Sequence, residues 1–264
     1  MATGFRYLRV SREGPVARVA IARPETRNAF DEDLIRELTE AFLDLGVAEG
    51  LRVVVLSGDG THFCAGADAA WMRQAGSLSR EENEASAERM ARMMRAIDAC
   101  PRPVVALVHG AAIGGGVGLT AAADIAIAAE GTVFSLAEVK LGIIPAVISP
   151  YVLRAIGPRQ ARDLFLTGER FDARDAHRLG LVHAVVPAGE LEEAGRRKVA
   201  SLLSSGPQAV EAAKRLIDQV AYMTPEEAMP ATVRAISERR ASDEAREGLS
   251  AFLEKRKPPW VKSD

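Results

Sequence analysis

The residues best placed to do chemistry lie in the run His109-Gly110-Ala111-Ala112-Ile113-Gly114-Gly115-Gly116-Val117-Gly118-Leu119. It follows an apolar stretch, 103–108, that predicts a buried strand, and it leads into 119–123, which predicts the start of a short buried helix. Glycines at a strand-to-helix junction leave backbone N–H groups open to a ligand, because the first amides of a helix have no partner within it. Such amides hold a phosphate or stabilise an oxyanion. The same run, taken alone, reads first as a tight turn that needs glycine for close packing, and only its partner motifs favour the ligand-binding reading. No Gly-Lys-Ser/Thr follows, and Leu119 stands where a dinucleotide fingerprint needs its last glycine, so both phosphate motifs are excluded. A second small-residue loop, Phe63-Cys64-Ala65-Gly66-Ala67-Asp68, follows a strand-like run at 53–57. Two such corners, each aiming one N–H at a common point, suit a carbonyl oxygen that becomes an enolate or a tetrahedral oxyanion.

Positioning these corners requires an ordered body. The 264 residues are 48% hydrophobic, enough for one large core with room for a small appended domain. A net charge of −2 with interspersed signs gives no nucleic-acid surface. Two cysteines without a CxxC fit a reducing compartment, and the absence of an apolar leader or a bilayer-length run points to a cytoplasmic protein away from membranes. His62, His109, His177 and His183 have no metal-ligand spacing, so no metal is expected.

Strands and helices alternate. Residues 7–10 and 16–22 predict a hairpin, 31–45 a helix and 52–57 a strand. Ser79-x-x-Glu82 resembles a capping box opening a helix in which Met90, Met93, Met94 and Ile97 recur at helical spacing. That stripe reads as core before it reads as an acyl pocket. A strand at 124–129, a short run around Phe134, a helix at 158–166 and a strand at 181–186 follow. From Leu191 the pattern is helical: Pro207 opens one helix, Thr224 caps another, and 242–255 forms a last one. The chain reads as an α/β body of repeating ββα units over 1–190 with a helical region over 191–264.

Four ordered motifs carry a family resemblance. They are Arg23-Pro24-Glu25-Thr26-Arg27-Asn28-Ala29, the 63–68 loop, the glycine run from Gly110 to Gly116, and Phe134-Ser135-Leu136-Ala137-Glu138 with its continuation to Pro145. With the tail around Phe252, Lys255 and Trp260, the sequence resembles the enoyl-CoA hydratase/isomerase (crotonase) superfamily nearly end to end. The resemblance implies a spiral of ββα turns and a C-terminal helical oligomerisation region that builds homotrimers, commonly paired into homohexamers. It implies an acyl-CoA thioester substrate and no separate cofactor. Ala67 and Gly115 match the two positions whose amides bind the thioester oxygen. Arg23 and Arg27 match contacts to the CoA phosphates, the Ala65 carbonyl and Asp68 match the adenine side, and Phe252 and Lys255 match tail contacts, often to a neighbouring subunit's CoA.

Glu138 stands in a mainly apolar segment, where a carboxylate titrates above its ordinary range and suits proton transfer near neutrality. The resemblance makes it the second catalytic glutamate of the hydratases. The first is missing, because Gly118 occupies its position. Isomerases that move a double bond from Δ3 to Δ2 work with one glutamate at the Glu138 position. Gly142-Ile143-Ile144-Pro145 through Tyr151, with Trp71 and Met72, is similar to the methylglutaconyl-CoA and isohexenylglutaconyl-CoA hydratase branch. On that basis Gly118 is expected to leave room for a substrate's own carboxylate. The expected activity is hydration of a short or branched 2-enoyl-CoA, carboxylated ones included. The alternatives are an isomerase using Glu138 alone and a non-catalytic acyl-CoA-binding relative. Hydrolase and decarboxylase chemistry also occurs on this fold.

Overall fold

Valine-rich runs that bury both faces form the middle of a six-stranded sheet. Its strands are β1 (Leu8–Glu13), β2 (Val16–Ile21), β3 (Val53–Gly58), β4 (Val104–Val108), β6 (Ile125–Ala129) and β9 (Ala184–Val186), in that spatial order. Only the hairpin pair β1–β2 is antiparallel. A second, three-stranded sheet joins β5 (Ala111–Ile113), β7 (Val133–Ser135) and β8 (Arg170–Asp172). The computed structural model describes residues 4–261.

Period-two alternation sets the layers. Ala17, Val19 and Ile21 of β2 point into the main core with Leu34, Leu38 and Phe42 of α1 (Glu32–Val47). After α2 (Ala69–Ala75), α3 (Arg80–Asp98) adds Met93, Met94 and Ile97 to the same core, then α4 (Gly115–Ala122) and α5 (Ser149–Thr167) follow. The other face of the large sheet, with Val53, Val55, Val105, Leu107 and Ile127, packs on Leu191 and Ala194 of α7 (Leu191–Leu203), which follows α6 (Ala173–Leu179). The boundary expected at Leu191 thus opens a helix that belongs to the sheet's outer layer. Only α8 (Pro207–Val220), α9 (Pro225–Arg240) and α10 (Asp243–Leu253) extend beyond it.

Caps place the helix starts. The Asp31 side chain accepts from Leu34 N, and complete capping boxes join Ser79 to Glu82 and Thr224 to Glu227. Each such cap contributes about 1 kcal/mol. Glu37 adds a link that no motif announces: its buried carboxylate accepts from the backbone of Arg6 and Tyr7, docking the N-terminal segment on α1. Three boundaries differ from the sequence pattern. Helix α4 starts at Gly115, not Leu119, since packing outweighs the low helix propensity of glycine. Helix α5 starts at Ser149 and continues through Gly157 (φ 73) and Pro158, a kink that reads in sequence as a helix start. Strand β9 is confined to Ala184–Val186.

No helix among the described residues is long and apolar enough to cross a membrane. Both cysteines are buried. Burial pushes the Cys64 thiol up to about 12 and raises that of Cys100. Because the thiolate is the reactive form, neither should react with an aromatic disulfide reagent at pH 8 until denaturant unfolds the chain. Rapid stoichiometric labelling of the folded protein would contradict this packing.

Candidate active site

The segment after β3 is pinned from both sides. Phe63 N donates to His109 O (2.9 Å), Cys64 N to Ala111 O (3.1 Å), and Ile113 N to Cys64 O (3.0 Å). On the opposite side Ala65 N donates to Arg27 O (3.0 Å), Phe30 N to Gly66 O (2.7 Å), and Asp68 N to Phe30 O (2.8 Å). This is a parallel bridge between Phe30 and Ala67. The bridge uses the groups on either side of Ala67, so its own N–H faces away from Phe30. Among the described residues that N–H has no acceptor. Gly66 takes φ 89, and a β-carbon there would lie 2.9 Å from Ile113 O, so no other residue suits the position.

The second corner follows β5. Gly114 N donates to Ser135 O (2.8 Å), and α4 begins at Gly115 without a capping side chain. The Gly115 N–H is therefore one of the amides a helix cannot satisfy internally, and it has no acceptor among the described residues. A β-carbon on Gly115 would lie 2.4 Å from Phe30 Cε2, and one on Gly116 2.4 Å from Cys64 O. Packing demands these glycines, and the resulting helix start leaves its amides free.

Glu138 lies in the short 3-10 turn Ala137–Leu141 after β7. A β-carbon on Gly114 would lie 2.9 Å from its Oε1, so the carboxyl group stands against the uncapped start of α4. Its Oε2 is buried with no hydrogen-bond partner among the described residues. Burial raises its pKa above the ordinary carboxylate value, partly opposed by a hydrogen bond from its own backbone N–H. An uncapped helix start with an unpaired amide, and a half-buried carboxylate with an idle oxygen against it, can together bind a carbonyl oxygen and move a proton next to it.

Two residues have surroundings other than the sequence pattern suggests. Gly118 does not open a space: a β-carbon there would lie 2.3 Å from Ile148 Cγ2 and 3.1 Å from Met94 Cε. The volume belongs to the buried Ile148 side chain, which the sequence pattern did not single out. Arg23, expected at the CoA phosphates, turns inward with its side chain only 9% exposed. Its guanidinium donates to Ala29 O (2.7 Å), contacts Asp31 (3.1 Å) and Asp68 (3.3 Å), and lies over the Tyr7 ring. Arg27 is exposed beside this cluster, and the Ala65 carbonyl accepts no hydrogen bond among the described residues. Asp68 also caps α2 through Ala70 N and Trp71 N. Phe252 is 79% exposed near the end of α10, and Lys255 follows it, also exposed. The methionine stripe is core, and its Met90 and Met94 tips reach the glycine face of α4. Phe30 and Ile148 were missed because a lone aromatic or aliphatic residue carries no spacing signal.

The enoyl-CoA hydratase/isomerase family model matches residues 11–263. A crotonyl-CoA hydratase of Syntrophomonas wolfei is 32% identical, covering 97% of this chain and 98% of the relative. A mitochondrial Δ(3,5)-Δ(2,4)-dienoyl-CoA isomerase of Dictyostelium discoideum is 30% identical, covering 97% and 92%. The crystal structure of an enoyl-CoA hydratase from Shewanella pealeana superposes with a TM-score of 0.93 at 41% identity, covering 97% and 96%. The chain belongs to the enoyl-CoA hydratase/isomerase family and has its α/β crotonase fold, C-terminal helices included.

The Gly118–Ile148 contact is testable by a double-mutant cycle. Gly118→Ala should destabilise by about 1–3 kcal/mol through overpacking. Ile148→Ala should cost about 2–5 kcal/mol through the cavity it leaves. The double variant should lose clearly less than the two losses added, because the new methyl enters the emptied space. Urea unfolding midpoints measure this, and simple additivity would rule out the contact.

Proposed function

We propose that this family member hydrates a short or branched 2-enoyl-CoA thioester. What supports the reading is a pair of unpaired amides, Ala67 and Gly115, linked through Phe30, with the idle carboxylate oxygen of Glu138 at the uncapped start of α4. The amides receive the thioester oxygen, whose negative charge grows as water attacks the β-carbon. Each such donor in a dry site is worth on the order of 3 kcal/mol in the transition state. Glu138 takes the proton from the attacking water and returns it to the α-carbon. Exposed Arg27, the Ala65 carbonyl and the Asp68 loop are assigned to the CoA moiety, and Phe252 and Lys255 to a neighbouring subunit's CoA. With Ile148 and Met94 filling the space beside Gly118, a carboxylated acyl group loses its physical support, and a plain or branched chain is favoured.

One observation favours a second reading. Position 118 brings no second carboxylate and faces aliphatic atoms, and a single proton shuttle suffices to move a 3-enoyl double bond into conjugation. Absorbance separates the two: hydration of a 2-enoyl-CoA removes the conjugated thioester band, whereas isomerisation of a 3-enoyl-CoA creates it. The idle Glu138 oxygen also argues against a purely binding role.

Glu138→Gln should lower turnover by roughly 10²- to 10⁴-fold with CoA-ester binding nearly intact. The same variant should be more stable than the wild type near neutral pH. Burial raises the folded-state pKa of Glu138, so the fold favours the protonated form and ionisation costs stability above that pKa. The gain in Tm should shrink as the pH falls through the raised folded-state pKa and vanish below the unperturbed value of 4.5, where both folded and unfolded wild type are protonated. Normal turnover in the variant would remove Glu138 from the mechanism.

Assembly follows from the tail. Helices α8 and α9 bury no side chain among the described residues, and Ile217, Tyr222, Met229, Val233, Ile236, Leu249, Phe252 and Leu253 are at least half exposed. Apolar faces of this extent are covered between subunits. Light scattering should return a trimer or a hexamer, and a monomer at working concentration would refute the assignment of tail residues to a neighbour's CoA.

A further inference from the structure

We propose that Phe30 is the positioning residue that sets the separation of the two amide donors, and that Arg23 clasps it in place. The inference rests on the oxyanion role given above to Ala67 and Gly115, and it assigns a function to two side chains outside the reacting centre. Phe30 is fully buried and touches both halves of the site by different means. Its backbone N–H and C=O bond to Gly66 O and Asp68 N, which fixes the peptide planes on either side of Ala67 and so the direction of that amide. Its ring lies flat enough on Gly115 that a β-carbon there would meet Cε2 at 2.4 Å and Cδ2 at 2.9 Å. The first residue of α4 therefore cannot move toward Phe30, whose backbone holds Ala67, without striking the ring, and dispersion against the ring opposes its moving away.

Arg23 holds this gauge from behind. Its guanidinium bonds the residue before Phe30 (Ala29 O, 2.7 Å), the residue after it (Asp31 Oδ2, 3.1 Å), and the residue after Ala67 (Asp68 Oδ2, 3.3 Å). A planar fork with several fixed donors can hold three acceptors at once, which the point charge of a lysine cannot. Its own backbone N–H donates to the buried Asn28 Oδ1, and Asn28 Nδ2 ties Asp59 O and His62 O, so the clasp is anchored to the loop after β3. Asp31 and Asp68 are at the same time the caps of α1 and α2, so both helices start from the same guanidinium.

The test compares Phe30→Leu with Phe42→Leu, a core substitution in α1. Both remove an aromatic ring from the core, so both lower Tm; only the first should alter the donors. Binding of 2,4-hexadienoyl-CoA to the wild type should shift its absorption to longer wavelength, because two N–H bonds to the thioester oxygen draw electron density along the conjugated chain. Phe30→Leu should lose most of that shift and at least about tenfold in kcat on crotonyl-CoA, with KM changed less than about twofold. Phe42→Leu should keep both. If Phe30→Leu cannot be purified, Phe30→Met is judged by the same two readouts. A Phe30 variant that keeps the full shift and kcat overturns the proposal. A wild type that binds the thioester without any shift overturns the oxyanion role itself, and the positioning role with it.

Discussion

An amide can wait unpaired in a protein interior only if its neighbours are too well bonded to turn it toward an acceptor. That constraint governs this molecule. The peptide groups flanking Ala67 are both committed to Phe30, and Gly114 N is committed to Ser135 O, so neither corner can relax and satisfy its free donor. A buried unpaired polar group costs roughly 1–3 kcal/mol. The Glu138 oxygen without a partner adds another such group against the start of α4. The stability lost there is offset by the rest of the fold: a sheet buried on both faces, with the capped helices α1 and α3 packed on one of them.

The glycines illustrate how packing and chemistry coincide. Gly114, Gly115, Gly116 and Gly118 each abut a different group: the Glu138 carboxyl, the Phe30 ring, the Cys64 carbonyl and the Ile148 side chain. A turn read for packing and a turn read for ligand access are therefore one structure. Helix α4 is buried along its whole length, so it is stabilised by tertiary contacts and not by propensity, and its N-terminus can stay uncapped. An uncapped N-terminus carries partial positive charge, which favours a developing oxyanion at Gly115.

Elements with a strong local signal were legible in the sequence. The capping boxes at Ser79 and Thr224, the β1–β2 hairpin and the valine-rich strands β3 and β4 follow from spacing and composition alone. Strands β5 and β8 were not, because three residues are too few to show alternation and their pairing with β7 is a tertiary event. In the site, Ala67, Gly115 and Glu138 were legible through motifs. The inward turn of Arg23 was not, since an arginine beside a proline looks the same in sequence whether it meets a phosphate or three internal oxygens. Ile148 escaped notice for a related reason: its significance lies in what it touches, Gly118, thirty residues away.

That contact bears on how one carboxylate can serve. Two carboxylates at close range raise each other's pKa until one keeps its proton, and position 118 supplies no second acid. With aliphatic atoms there instead, desolvation alone raises the pKa of Glu138, and only its own backbone N–H works against it. The Glu138 proton is then controlled by burial, and anything that dries the site further shifts it in the same direction. Under the proposed function a bound acyl chain, by displacing water, would raise the basicity of Glu138 when a proton is to be taken.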